Sequence, residues 1–359
     1  MKNKQTSDKS RLVSLDFFRG LTIILMIVVN LGILHYSFLM HSEWDGLTLA
    51  DTVFPSFLWI MGVSMVFSFN KRIKNGADKK TLFLHMLRRS IILFCIGLFV
   101  NFISHPFLSS IRIPGVLQRI AICYLFAGII LLNTRWKGQV VWTALLLVLY
   151  FFLMKFVPVP GYGAGVLTLE GNLAGYLDRS LLEGNLIGDS GDPEGILSTI
   201  PAVATVLFGI LTGHLLLSKS IKKKVSFMLF GSLLLIFLGL VWAIWFPLNK
   251  ALWTSSYVVL TTGLTLIIFS VSYWIIDIKG YKKWSFPFIL FGLNAITIYI
   301  ISILVNAFFD RVGGKYLFFH RIAYMLDYWV SSLIFVIICL IFFYLIVYFL
   351  YRKRWFLKI

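Results

Sequence analysis

Charge, acidic residues and cysteine are all scarce in this chain. Only 13% of its 359 residues are charged, and 33 Lys and Arg stand against 15 Asp and Glu, which excludes a soluble domain with a solvated surface. Three cysteines, Cys95, Cys123 and Cys339, are an odd number, and each lies inside an apolar run. That argues against a disulfide framework and against a Cys/His metal site, so all three read as packing residues and no metal is expected. No fixed-period repeat and no low-complexity tract interrupts the chain. No cleavable leader is expected either, because the first apolar run is followed by more membrane-like sequence. What remains is apolar: 59% hydrophobic residues, mean hydropathy +0.89, 34 Phe and 11 Trp. The composition is that of a membrane protein.

A helix needs roughly 20 apolar residues to cross a hydrocarbon core. About ten stretches qualify, near 14–34, 51–70, 88–105, 115–133, 139–158, 196–217, 225–246, 255–276, 286–306 and 329–351. Most of the 33 basic residues fall on alternate sides of these runs, in the N-terminus, 71–89, 135–137, 219–224, 279–283 and 352–358. The acids gather on the other side. The positive-inside rule therefore places both termini in the cytoplasm, with a tail at 1–13 and a long extracytoplasmic loop at 159–195. The net charge of +18 is a record of topology, with anionic lipid head groups as the partners and no nucleic acid expected. The expected fold is one all-α polytopic domain over 1–359, in a cytoplasmic (inner) membrane.

Polar groups that enter the apolar runs carry the functional question. Asp16 and Arg19 sit i,i+3 on the first helix and read as a structural ion pair. Arg112, Gln118 and Arg119 surround the start of the fourth run, where snorkelling to the interface competes with oxyanion binding. Asn294 interrupts the ninth run; Asn249 and Trp253 lie in the outer FPLNKALWT segment. His85 reads as a surface residue, and His214 and His320 as structural. His35 and His41 are six apart, a spacing that does not put both on one helical face. His41 differs in its neighbours, Glu43, Asp45 and Asp51, which could orient one ring nitrogen, and Trp44, which offers a flat apolar face. Asp51 is placed to cap the second helix. On chemistry alone, an enzyme, a transporter of a sugar or envelope-lipid precursor lined by Asp16, Arg19 and Asn294, and an assembly protein all remain open.

The segments RLVSLDFFRG, HSEWDGLTLADTVFPSFLWIMG, RIPGVLQR, DPEGILSTIPAVATVLFGILTG, FPLNKALWT and FGLNAITIYI, in that order from Arg11 to about Ile301, resemble the heparan-alpha-glucosaminide N-acetyltransferase family of membrane acyltransferases. The resemblance implies transfer of acetyl from acetyl-CoA to the amino group of a glucosamine-type sugar or glycan. It implies that His41 is catalytic, with Asn30, eleven residues earlier, as its companion, and that the protein forms a homodimer. Glu43, Trp44, Asp45, Asn249 and Trp253 are then expected on the sugar side. Arg72, Arg88 and Arg89, with Lys71, are expected to bind the CoA phosphates at the cytoplasmic mouth. Arg112 and Arg119 lie too near the outer rim for that role. The chain departs from lysosomal animal members in having Asp45 where they carry Asn, and in lacking a luminal domain ahead of the first shared helix. A compact bacterial relative with an acceptor other than heparan is expected. His41 as general base in a ternary complex and His41 as acyl carrier remain alternatives.

Overall fold

The computed structural model describes residues 12–31, 36–104, 111–187, 190–218, 223–314 and 328–356. His35 and His320 lie outside these residues. The apolar runs fold as helices because a backbone in lipid must satisfy its own hydrogen bonds. In chain order they are α1 (Val13–Asn30), α2 (Leu49–Lys74), α3 (Lys79–Ser104), α4 (Val116–Asn133) and α5 (Trp136–Phe156). A short helix, α6 (Leu173–Leu181), precedes α7 (Thr199–Leu217), α8 (Lys224–Ala243), α9 (Ser255–Tyr273), α10 (Phe286–Leu293), α11 (Ala295–Arg311) and α12 (Tyr328–Arg352). Among the described residues nine helices are long and apolar enough to cross a membrane, and the bent pair α10–α11 supplies a tenth if it counts as one span. The chain is an all-α, multi-pass membrane protein.

The interior is built on α2, α7 and α9, with α1 packed alongside. A Cβ added to Gly62 would collide with the Val206 carbonyl, and one added to Gly209 with the Trp59 carbonyl, so α2 and α7 meet backbone to backbone. Small residues drive such contacts where lipid removes the hydrophobic incentive. Trp59, fully buried, fills the adjoining space against Phe18 and Phe269, with ring centroids 6.2 and 5.0 Å away. On the rim, α8 and α12 turn Phe230, Phe237, Ile341 and Leu345 outward. The first turn of α1 is capped from a distance: the Asp277 carboxylate accepts from the amides of Val13 and Ser14 at 3.3 and 3.0 Å.

Two expectations need correction. The run 286–306 is not one straight span, because α10 and α11 meet at 70° around Asn294. Packing accounts for the break: Gly292 lies against the backbone of Asp16 and Gly20 against that of Phe288, so α10 follows α1 and α11 must turn away. Irregular backbone at membrane depth is tolerated where it lines a cavity, and Asn294 does line one. The loop 159–195 is also more ordered than its composition suggests. It holds an antiparallel pair, β1 (Pro158–Val159) with β2 (Gly163–Ala164), and then α6, whose Asn172 cap accepts from the Gly175 amide at 2.6 Å.

Candidate active site

The site forms where α2 begins. Thr48 and Asp51 make a capping box that stops α2 from fraying, as an acid at the third helical position should. One Asp51 oxygen accepts from the amide and hydroxyl of Thr48, both at 3.0 Å, and from the amide and hydroxyl of Ser42 at 3.2 and 3.1 Å. Its other oxygen lies 2.8 Å from Nδ1 of His41. A carboxylate can only accept, so this contact favours the tautomer with the ring proton on Nδ1 and the lone pair on Nε2. Asp51 is sealed in, with 1% of its side chain exposed, whereas His41 is 46% exposed. A buried orienter and an open imidazole are what a proton-transfer residue requires.

Lys250 completes the cluster. Its ammonium lies 2.9 and 3.1 Å from the two ring nitrogens of His41 and 3.6 Å from Asp51. Burial lowers its pKa from the ordinary lysine value, while Asp51 and Glu194 pull it back up. The lysine is held in place by a stapled loop. Asn249 donates to Asp45 at 3.2 Å, accepts from the Leu252 amide at 2.8 Å, and the Gly46 amide donates to the Leu248 carbonyl at 2.8 Å.

His41, Lys250, Asn30 and Glu194 line one cavity of about 140 Å³, with Val116 and Tyr299 in its wall. Beneath it a neck of about 10 Å³ is lined by Met26, Phe57, Ile120 and Tyr299. The neck shares Phe57 and Ile120 with a polar chamber of about 250 Å³, where Arg19, Ser64, Arg89 and Asn294 converge. Arg19 is fixed there by Asp16 at 3.1 Å and by Ser64 at 2.7 Å. Arg89 lies over the Tyr124 ring, 4.8 Å from its centroid, and both polar atoms of the Asn294 side chain lack hydrogen-bond partners. The neck also shares Met26, Val116 and Tyr299 with the His41 cavity, so each space adjoins the next across common lining residues.

The roof of the site is an ion-pair network. Arg112 donates to Asp192 through Nε at 2.8 Å and Nη2 at 2.6 Å, and its Nη2 also reaches Glu194 at 2.7 Å. Burial would push the Asp192 carboxyl up, but Arg112 holds it below the usual carboxylate range. Asp178, on α6, is buried and accepts from the amides of Ile196 and Asp192 at 2.9 and 3.4 Å; burial raises its pKa.

Several expected roles fall differently in the structure. Of the three acids that could orient His41, Asp51 makes the contact, because the first turn of α2 folds back over the loop; Glu43 is exposed on the rim and Asp45 is engaged by Asn249. Asn249 and Trp253, expected to meet sugar, are 0% and 1% exposed and serve the loop and core beneath it. Trp44 is half-buried, and its indole donates to the Leu167 carbonyl at 2.9 Å. Of the expected CoA contacts, only Arg89 faces the inner chamber; Arg88 is exposed, and Arg72 lies 2.8 Å from His85 at the membrane edge. Neither Lys250, a polar group of the outer FPLNKALWT segment, nor Glu194 is given a site role by the sequence alone. Lys250 had a signal, since it is a lysine on the side that otherwise has few basic residues.

A family profile described as "Heparan-alpha-glucosaminide N-acetyltransferase, catalytic" matches residues 11–241. The chain is 31% identical over 353 residues to heparan-alpha-glucosaminide N-acetyltransferase of Mus musculus, covering 82% of this chain and 53% of that protein. It is 31% identical over 351 residues to the protein of the same name from Homo sapiens, covering 81% and 52%. The chain thus spans about half the length of these relatives.

Proposed function

The chain belongs to the heparan-alpha-glucosaminide N-acetyltransferase catalytic family, and from that premise we propose that it transfers acetyl from acetyl-CoA to the amino group of a glucosamine-type sugar. The observation that carries this reading is His41, held by Asp51 and lining a cavity that adjoins a narrow neck deeper in the bundle. The charge distribution supports a cytoplasmic membrane, cytoplasmic termini and His41 on the outer side. The donor then comes from the cytoplasm: its pantetheine arm enters the chamber at Arg19 and Arg89 and brings the thioester through the neck. The acceptor comes to His41 from outside.

Nε2 of His41 takes a proton from the sugar ammonium, and the freed amine attacks the thioester carbonyl. The new C–N bond forms first and gives a tetrahedral oxyanion, which collapses as the C–S bond breaks; the nitrogen's second proton passes to the departing thiolate, and His41 returns its own to solvent. Asn30, in the same cavity, donates to the oxyanion of the tetrahedral intermediate, and the Lys250 ammonium beside the ring adds a positive field. Phe57, Ile120 and Tyr299 at the neck keep water from the thioester.

Purified protein given labelled acetyl-CoA and a panel of amino sugars is expected to yield N-acetyl sugar and free thiol in equal amounts. Sugar taken up by vesicles without acetylation would replace this reading with transport.

A further inference from the structure

A lateral groove of about 620 Å³ between α4, α5 and α7 is larger than the cavity that holds His41. Ile122, Phe126 and Ile129 of α4 form one wall, and Trp142 and Leu146 of α5 face them. From Gln118 to Ile130 the groove runs along α4 for roughly 18 Å at the helical rise. That is more than half of a hydrocarbon core of roughly 30 Å.

At the end nearest His41 the lining changes character. Gln118 and Arg119, 2% and 1% exposed, both line it. Nε2 of Gln118 and Nε and Nη1 of Arg119 have no hydrogen-bond partner among the described residues. Only Nη2 of Arg119 is engaged, by the Gly195 carbonyl and the Ser198 hydroxyl, and the guanidinium lies 5.0 Å from the Trp253 ring centroid. A buried guanidinium with two unpartnered nitrogens is costly unless an anion completes it. Glu194 lines this groove and also the His41 cavity, so the two spaces meet at one carboxylate.

We propose that the groove seats a lipid-linked acceptor: an aliphatic chain along α4, a phosphodiester at Arg119 and Gln118, and an amino sugar whose ammonium Glu194 draws toward His41. The order of contacts matches the order of groups in such a molecule, apolar, then anionic, then cationic. The inference rests on the acetyltransferase reading and names its acceptor class.

The test uses the full chain in nanodiscs with acetyl-CoA and three acceptors: free glucosamine, glucosamine joined by a phosphodiester to a C16 alcohol, and the same sugar and chain joined by a neutral ether. The phosphodiester lipid is expected to exceed both others at least tenfold in kcat/KM. Arg119→Gln should bring the phosphodiester and ether lipids to parity, and Arg119→Lys, which keeps charge without the fork, should leave a partial preference. Ile129→Trp, which fills the groove, should cut the lipid-to-free-sugar ratio at least tenfold. Acetylation of free sugar as fast as of the phosphodiester lipid would overturn the groove proposal while leaving the enzyme intact. If no acceptor is acetylated, the acetyltransferase reading fails, and the groove is decided by labelling with a phosphodiester amino-sugar lipid whose chain carries a diazirine. Adducts within residues 122–130 that an amine-free phospholipid does not compete away support the groove; their absence, or equal competition by that phospholipid, overturns it.

Discussion

Asp51→Asn is expected to lower kcat by roughly 10³-fold or more with little change in KM, the scale on which catalysis falls when an orienting carboxylate no longer fixes a histidine's tautomer. The reason is directional. Asp51 accepts at His41 Nδ1 over 2.8 Å, so it sets which nitrogen carries the proton, and it is too buried for water to take its place. An amide there can present N–H to the ring, which moves the lone pair to Nδ1 and turns Nε2 into a donor. The fold should survive, because the amide oxygen can still accept from Thr48 and Ser42, and losing part of a helix cap costs about 1 kcal/mol. Steady-state kinetics beside a melting curve make the check. A kcat within tenfold of wild type, in a folded protein, would reduce Asp51 to the cap of α2.

Arg112→Ala should be the most destabilising single change at the site, by roughly 3–5 kcal/mol, because it strands a buried carboxylate. Side-chain exposure is 10% for Arg112 and 0% for Asp192, so solvent cannot replace the missing charge. The pH dependence gives the mechanism a sign. In the wild type the Asp192 pKa lies below its unfolded value, so the pair stabilises the fold above the ordinary carboxylate range and loses that effect as pH falls through the depressed pKa. Without Arg112, the burial that raises the Asp192 pKa is opposed only by the amides of Glu194 and Ile187, so the variant should lose stability as pH rises from acid toward neutrality. The gap in melting temperature between the two proteins is therefore expected to be wider at pH 7 than at pH 4.5. A gap of a degree or less at both values would mean that Arg112 does not hold the roof.

The helices were legible in the sequence and the contacts between them were not. Hydropathy and basic-residue spacing located most of the long spans to within a few residues, because both are imposed by the bilayer itself, but α3 starts at Lys79, well before the expected 88. The bend at Asn294 was not legible, since a lone Asn within the apolar run 286–306 does not by itself break a helix and the run's one proline, Pro287, sits in the first turn where a helix tolerates it. His41 stood out through its acidic neighbours, yet proximity in sequence pointed to Glu43 and Asp45 when the geometry favours Asp51, ten residues on. Arg112 and Asp192 are 80 residues apart, and no local pattern links them. Lys250 reaches His41 across 209 residues. Such pairs follow from how the loops meet above the bundle, and one sequence carries no signal for that.

The central claim is that His41, on the outer side, acetylates an acceptor with a donor admitted from the cytoplasm. Sealed vesicles of known orientation test it directly, with labelled acetyl-CoA on one side and amino sugar on the other. Wild-type protein is expected to acetylate only when acetyl-CoA is on the cytoplasmic side, and His41→Ala should lower that rate by roughly 10³-fold, within the range that loss of a general base allows. Equal rates with acetyl-CoA on either side, or a His41→Ala rate matching wild type, would contradict the account.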